Sequence, residues 1–269
     1  MSRLGYATQN LTVRSTTNRT LRLADLSDVE KVRTLARENI AGLLKLQRWN
    51  AGHGVGPFRI DQGLILFAFH PAFPYAWEHE HSDELRKAGA LACSLWASAC
   101  ACTPASLSRP EAPSLGAERR LDQLRYVARV FDLLDGRGTV IVLRMGGAYE
   151  DKPTTGARFV ETMRPETTLL RYLALESDER ISAVPEIALT ASALGVPTIA
   201  EAFHHNLNPG GLTLEEAMDL SLPTRKRQGL RPKVHLSSQD PDKQAGAHAY
   251  SVDTGDLHAL QALNDRGRT

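Results

Sequence analysis

Residues 139–145 read TVIVLRM, and the chain reaches them from a helical pattern over residues 117–134. A run so nearly apolar throughout predicts a strand buried on both faces, the kind a parallel sheet provides. The same pairing of helix and strand repeats towards the C terminus. A helix over 156–169 precedes a strand over 171–176. One over 185–194, ended by Gly195, precedes a strand over 197–203, and one over 213–220 precedes a strand over 233–238. Towards the N terminus a strand over 99–103 follows a helix over 83–98. Before it come a strand over 56–60, an amphipathic stretch from Ser27 to Asn50, and a first strand over 3–8. In the amphipathic stretch Leu35, Ile40, Leu43, Leu44 and Leu46 supply the apolar face. Ser27 with Glu30 three residues on makes a capping box, and Gly52 and Gly54 end the helix.

Repeated β–α alternation with short connections predicts a parallel sheet covered by helices. Seven strand candidates lie between the eight of a TIM barrel and the six of a doubly wound sheet. No GxGxxG follows a strand, which argues against dinucleotide binding. The polar tail from Tyr250 to Thr269 offers no eighth strand. No repeat, low-complexity segment or linker divides the chain, so residues 1–269 read as one domain.

With 42% apolar and 23% charged residues among 269, there is apolar surface enough to bury, which excludes disorder as the main state. No apolar run reaches the length of a membrane span, and the first residues lack a signal-peptide core, so the expected location is cytoplasmic with no membrane partner. Lys and Arg number 32 against 31 Asp and Glu. Binding to nucleic acid therefore requires a local patch or a bound metal. Cys93, Cys100 and Cys102 form no CxxC pair and read as small buried hydrophobes.

The polar residues at strand C-terminal ends carry the functional signal, because chemistry gathers at that face of a barrel. Glu176 ends the fifth strand. Glu201 ends the sixth, with His204 and His205 just beyond it. Lys233 and His235 share a face of the seventh. His70 follows the second strand and His248 the seventh. Each has a plain structural reading: Glu176 paired with Arg171 or Arg180, His235 as a hydrogen-bonded core histidine, Lys233 in a salt bridge. Taken together, Glu176, Glu201, His204, His235 and His248 suit a divalent metal, and the ligands alone do not choose the ion. His53, His79, His81 and His258 read as surface residues.

Several long strings carry a family pattern: LGYATQNLT (4–12), TTNRTLRL (16–23), FHPAFPY (69–75), GGAYEDK (146–152), LALESDER (173–180), HHNLNPG (204–210), RPKVHLSSQDP (231–241) and GAHAY (246–250). In order and spacing they resemble the UV damage endonuclease family. The resemblance implies a TIM (β/α) barrel, incomplete here at its last strand, and a hydrolase that nicks UV-damaged double-stranded DNA 5′ to a photoproduct in excision repair. It implies a divalent cofactor, manganese first, with magnesium, zinc or cobalt as alternatives, and no protein partner. It assigns His70, Glu176, Glu201, His204, His235 and His248 to the metal, and gives Lys233 and Glu176 catalytic roles. Tyr6 and Asn10 match residues near the bound lesion; Arg144 and Leu107 are further DNA contacts read from the residues themselves, Leu107 as an apolar wedge, with Arg14, Arg19, Arg22, Lys226 and Arg227 as candidate phosphate contacts.

The sequence also departs from that pattern. Thr103 and Arg144 stand where the family has metal-binding histidines, and Ser106 and Leu107 where it has the Gln-Tyr pair that probes the lesion. Glu201 replaces an aspartate. The family's C-terminal metal-binding glutamate has no counterpart up to Thr269. Two other readings therefore stay open: a damaged-DNA-binding protein without cleavage activity, and a barrel metalloenzyme acting on a sugar.

Overall fold

The computed structural model describes residues 4–7, 10–95, 100–102, 115–136, 138–146 and 151–266. They form two compact units, one running to Ile141 and the other from Val142 onward.

In the first unit β1 (Tyr6–Ala7), β2 (Phe58–Arg59), β3 (Cys100–Cys102) and the start of β4 (Val140–Leu143) pair in that order, all parallel. The helices are α1 (Val29–Gly52), α2 (Trp77–Glu80), α3 (Ser82–Leu95) and α4 (Leu115–Leu133). Val32, Ala36, Ile40, Leu43 and Leu46 of α1 are buried at helical spacing, which gives that helix its core-facing stripe. Asp28, not Ser27, caps it: its carboxylate accepts the Lys31 N–H, while Ser27 closes a 3-10 turn over Leu23–Ser27. Gly89 of α3 lies so close to the Leu134 carbonyl that an added Cβ would stand 1.8 Å from its oxygen, so only glycine fits there.

His81 corrects the surface reading. It is fully buried, with Nε2 2.9 Å from the Tyr75 hydroxyl. The polar run around it belongs to a tight joint between α2 and α3, where the histidine turns inward.

The second unit continues β4 and adds β5 (Leu173–Glu176), β6 (Thr198–Glu201) and β7 (Val234–His235), with β5–β6–β7 paired in parallel. Every residue of β4, β5 and β6 is buried, as their apolar runs predict. Between the strands lie α5 (Lys152–Met163), α6 (Thr167–Leu170), α7 (Val184–Leu194), α8 (Ala202–Leu207) and α9 (Leu214–Lys226). The helix expected over 156–169 is two helices, because Pro165 interrupts the hydrogen-bond ladder between them. Helix α7 ends at Gly195 with φ +69°, as expected. Residues 202 and 203 belong to α8, so the sixth strand is shorter than its apolar run. The C-terminal segment is a helix, α10 (Thr254–Arg266), whose Leu260 and Leu263 pack on Ala200, Met218 and Leu222.

Parallel strands alternating with helices in chain order make this the TIM (β/α)-barrel class, with seven strands among the described residues. No helix among them is long and apolar enough to cross a membrane. Thr103, Ser106 and Leu107 lie outside the described residues, as do the side chains of Cys93, Cys100 and Cys102.

Candidate functional site

The second unit delivers a polar side chain at each strand end. Arg144 follows β4 directly, Glu176 is the last residue of β5, and Glu201 and His235 end β6 and β7 in mutual register. Parallel pairing aligns these ends, which is why residues distant in sequence meet.

Glu176 is the anchor and is only 3% exposed. Its Oε2 accepts from Arg144 Nε at 3.3 Å, and its Oε1 bonds His235 Nδ1. Burial alone would raise its pKa, but the charges of His235 and Arg144 hold it well below the usual carboxylate range. The side chain is therefore a buried anion with two cationic or hydrogen-bonding neighbours.

Arg144 binds more than Glu176. Its Nη1 donates to Glu179 Oε2 at 3.3 Å and its Nη2 lies 2.9 Å from His204 Nε2. His204 is buried, and its Nδ1 faces the Ser177 carbonyl at 2.9 Å. That bond places the proton on Nδ1 and leaves the Nε2 lone pair turned towards Arg144. Burial first, then the Arg144 charge, lowers the His204 pKa, so the ring is neutral near pH 7. His248 completes the group, with Nε2 3.2 Å from His204 Nε2 and its ring edge-on to Phe203 at 5.2 Å. An antiparallel bridge to Gln239 fixes the loop that carries it.

One oxygen of Glu201 is engaged locally. Because β6 runs straight into α8, Glu201 is the helix N-cap, and its Oε2 accepts the His204 N–H. Its Oε1 has no hydrogen-bond partner among the described residues. Burial, together with the Glu176 charge, pushes its pKa up to about 7. Lys233 is half-buried immediately before β7.

In the first unit Tyr6 and Asn10 are brought together. The Tyr6 hydroxyl donates to Asn50 Oδ1 at 2.8 Å and accepts from Asn10 Nδ2 at 2.9 Å. His70 belongs to that unit too, where its Nδ1 accepts the Ala72 N–H. Of the candidate phosphate contacts, Arg19 pairs with Glu38 and Arg22 with Asp25, whereas Arg14, Lys226 and Arg227 are exposed.

Sequence reasoning passed over Glu179, Asn50 and the Ser177 carbonyl. Only Glu179 left a signal, as the third acid of LALESDER, three residues after Glu176. The plain pairing of Glu176 with Arg171 or Arg180 gives way to Arg144 and His235.

The arrangement does not fit a divalent ion at Glu176 and His204. A metal would need the Glu176 oxygens and the His204 Nε2 lone pair, and the guanidinium and His235 already hold them. Among the described residues no three His, Cys, Asp or Glu side chains are placed to hold a metal.

The comparisons with known proteins agree with this fold. The crystal structure of SacUVDE matches with a TM-score of 0.90 at 24% identity, covering 97% of this chain and 89% of that one. A xylose isomerase domain protein of Salmonella typhimurium matches more loosely, with a TM-score of 0.52 at 14% identity over 84% of this chain and 80% of that one. The UV-damage endonuclease of Schizosaccharomyces pombe is 28% identical over 265 residues, which cover 91% of this chain and 44% of that protein. For the UV DNA damage endonuclease of Clostridium perfringens the identity is 25% over 256 residues, covering 93% and 61%. The chain thus spans about half the length of these curated relatives. The family model described as UV-endonuclease UvdE matches residues 2–264, and with that extent of match the chain belongs to the UV-endonuclease family.

Proposed function

We propose that this chain is an endonuclease of UV-damaged double-stranded DNA, cutting the backbone 5′ to the lesion as a step of excision repair. One observation carries the reading: family membership over residues 2–264 coincides with the gathering of Arg144, Glu176, His204, His235 and His248 beyond the strand ends. A phosphodiester needs positive charge near its oxygens and groups that move a proton to the leaving oxygen. An arginine, a half-buried lysine and several imidazoles beside carboxylates provide both. A UV lesion weakens local stacking, so a protein can bend or open the duplex there at reduced cost. Tyr6 and Asn10, linked through one hydrogen bond, are the proposed contacts to the damaged strand. No step of this reading runs through the divalent ion that the resemblance implies, because Arg144 and His235 hold the Glu176 oxygens and Arg144 also meets His204 Nε2.

A second reading is favoured by that same Arg144 geometry: a protein that recognises damaged duplex without cutting it. One experiment separates the two. Wild-type protein is incubated with irradiated and intact duplexes of one sequence, with and without added Mn²⁺, and both retardation and strand breaks are followed. Breaks confined to irradiated duplex support the endonuclease. Retardation of irradiated duplex without breaks supports the binding protein. Equal behaviour towards both duplexes removes DNA damage from the account.

A further inference from the structure

We propose that Arg144 is the resident cation of the strand-end centre, filling with its guanidinium the charge position of a metal ion and keeping divalent metal away from Glu176 and His204. This inference stands on the geometry and is independent of whether the protein cuts DNA.

The guanidinium is planar, and its donors point outward around its edge. Here three of its nitrogens meet three different acceptors: Nε to Glu176 Oε2, Nη1 to Glu179 Oε2 and Nη2 to His204 Nε2. A metal ion makes the same demand, gathering oxygen and nitrogen lone pairs on one centre of positive charge. The two occupants exclude each other, because each needs the same lone pairs. Arginine is never deprotonated in a protein, so the positive charge cannot be titrated away to admit an ion.

The neighbours are arranged for the arginine. The remaining Glu176 oxygen is bonded to His235, and the Nδ1 proton of His204 is fixed on the Ser177 carbonyl, which turns Nε2 towards Nη2. Glu201, another buried acid, gives its Oε2 to the helix cap of α8. Arg144 is 29% exposed and its partner Glu176 only 3%, so water screens this pair less than a pair in which both partners are in solvent. A chain built this way folds with its buried carboxylate already balanced. Chelation then removes nothing that the fold needs.

The test combines Mn²⁺ and Zn²⁺ titration with thermal melting of the full chain. For wild type, EDTA leaves the melting temperature unchanged and neither ion binds stoichiometrically. Arg144→His removes the cation and adds an imidazole at the same strand end. It is expected to take up one ion per chain and to be stabilised by that ion. Arg144→Lys retains a positive charge, is expected to fold, and remains without bound metal, which guards the test should the histidine variant fail to fold. The proposal is overturned by wild type binding one ion per chain with a melting temperature that falls in EDTA. It is overturned equally by a folded Arg144→His that gains no metal, or by Arg144→Lys binding as much as a histidine variant would. Metal content and melting are read without DNA, so failure here is distinguishable from failure of the endonuclease reading.

Discussion

Arg33 and Arg144 are both arginines held by two carboxylates, one in each unit. Arg33 on α1 bonds Glu80 through Nε and Glu30 through Nη1 at 2.9 and 2.7 Å, and Glu30 is largely in solvent. Arg144 makes longer bonds, at 3.3 Å, to Glu176 and Glu179, yet Glu176 is sealed from water. Distance alone would rank Arg33 first. The two arginines are almost equally exposed, at 30% and 29%, and the partners reverse the order: Glu30 is 78% exposed and Glu80 23%, whereas Glu176 is 3% exposed, in a medium where an unpaired charge is costly. The first unit uses ion pairs to dress a helix surface. The second uses one to make a buried charged centre possible.

The sharpest way to break this contrast is to remove each arginine. Arg144→Met leaves Glu176 with His235 alone and is expected to lower stability by about 3–5 kcal/mol in chemical denaturation. A loss no larger than that of an exposed pair would sink the buried-centre account. Adding Glu176→Gln to Arg144→Met takes away the uncompensated anion, so the double variant should be less damaged than the two single losses sum to, with a coupling of about 0.5–3 kcal/mol. Simple additivity would mean that the two side chains do not act as a unit.

A smaller effect is expected at His81, the buried histidine of the first unit. Burial lowers its pKa below the ordinary 6.5. The unfolded chain therefore binds the proton more readily. The stability that the neutral ring contributes is full above about pH 6.5 and is lost as pH falls through the folded-state value. His81→Gln should flatten part of the stability decline below pH 6.5, leaving the share of His204 and His205, whose pKa values are also lowered by burial. Superimposable pH curves for variant and wild type would show that His81 is not buried neutral. The smallest effect is reserved for Arg33→Ala, expected to cost only a small fraction of the Arg144→Met loss, through its Glu80 pair and its contact over the Tyr75 ring. A loss as large as that of Arg144→Met would mean that the burial of Glu176 does not set the two arginines apart.

The legibility of the chain in sequence follows burial on both faces. Strands β4, β5 and β6 are apolar at nearly every position, so their runs could be read directly, and so could the strand-end placement of Glu176, His204, His235 and His248. What failed to show was local. Pro165 splits a helix whose apolar pattern looks continuous. Glu201 sits at a strand end as expected, but one of its oxygens also caps a helix, because no loop separates β6 from α8. His81 lies in a polar stretch, YAWEHEHSDEL, and only the packing of α2 against α3 turns it inward. Arg144 was legible as an odd residue for a metal site, but its three acceptors come from two other segments of the chain, and no local pattern could have joined them.

Elemental mass spectrometry of the purified, dialysed wild-type protein tests the central claim most directly. With Arg144 as the resident cation, manganese, zinc, iron and cobalt should all fall far below one ion per chain, while the protein stays folded. One tightly held ion per chain would contradict the account and return Glu176 and His204 to a metal.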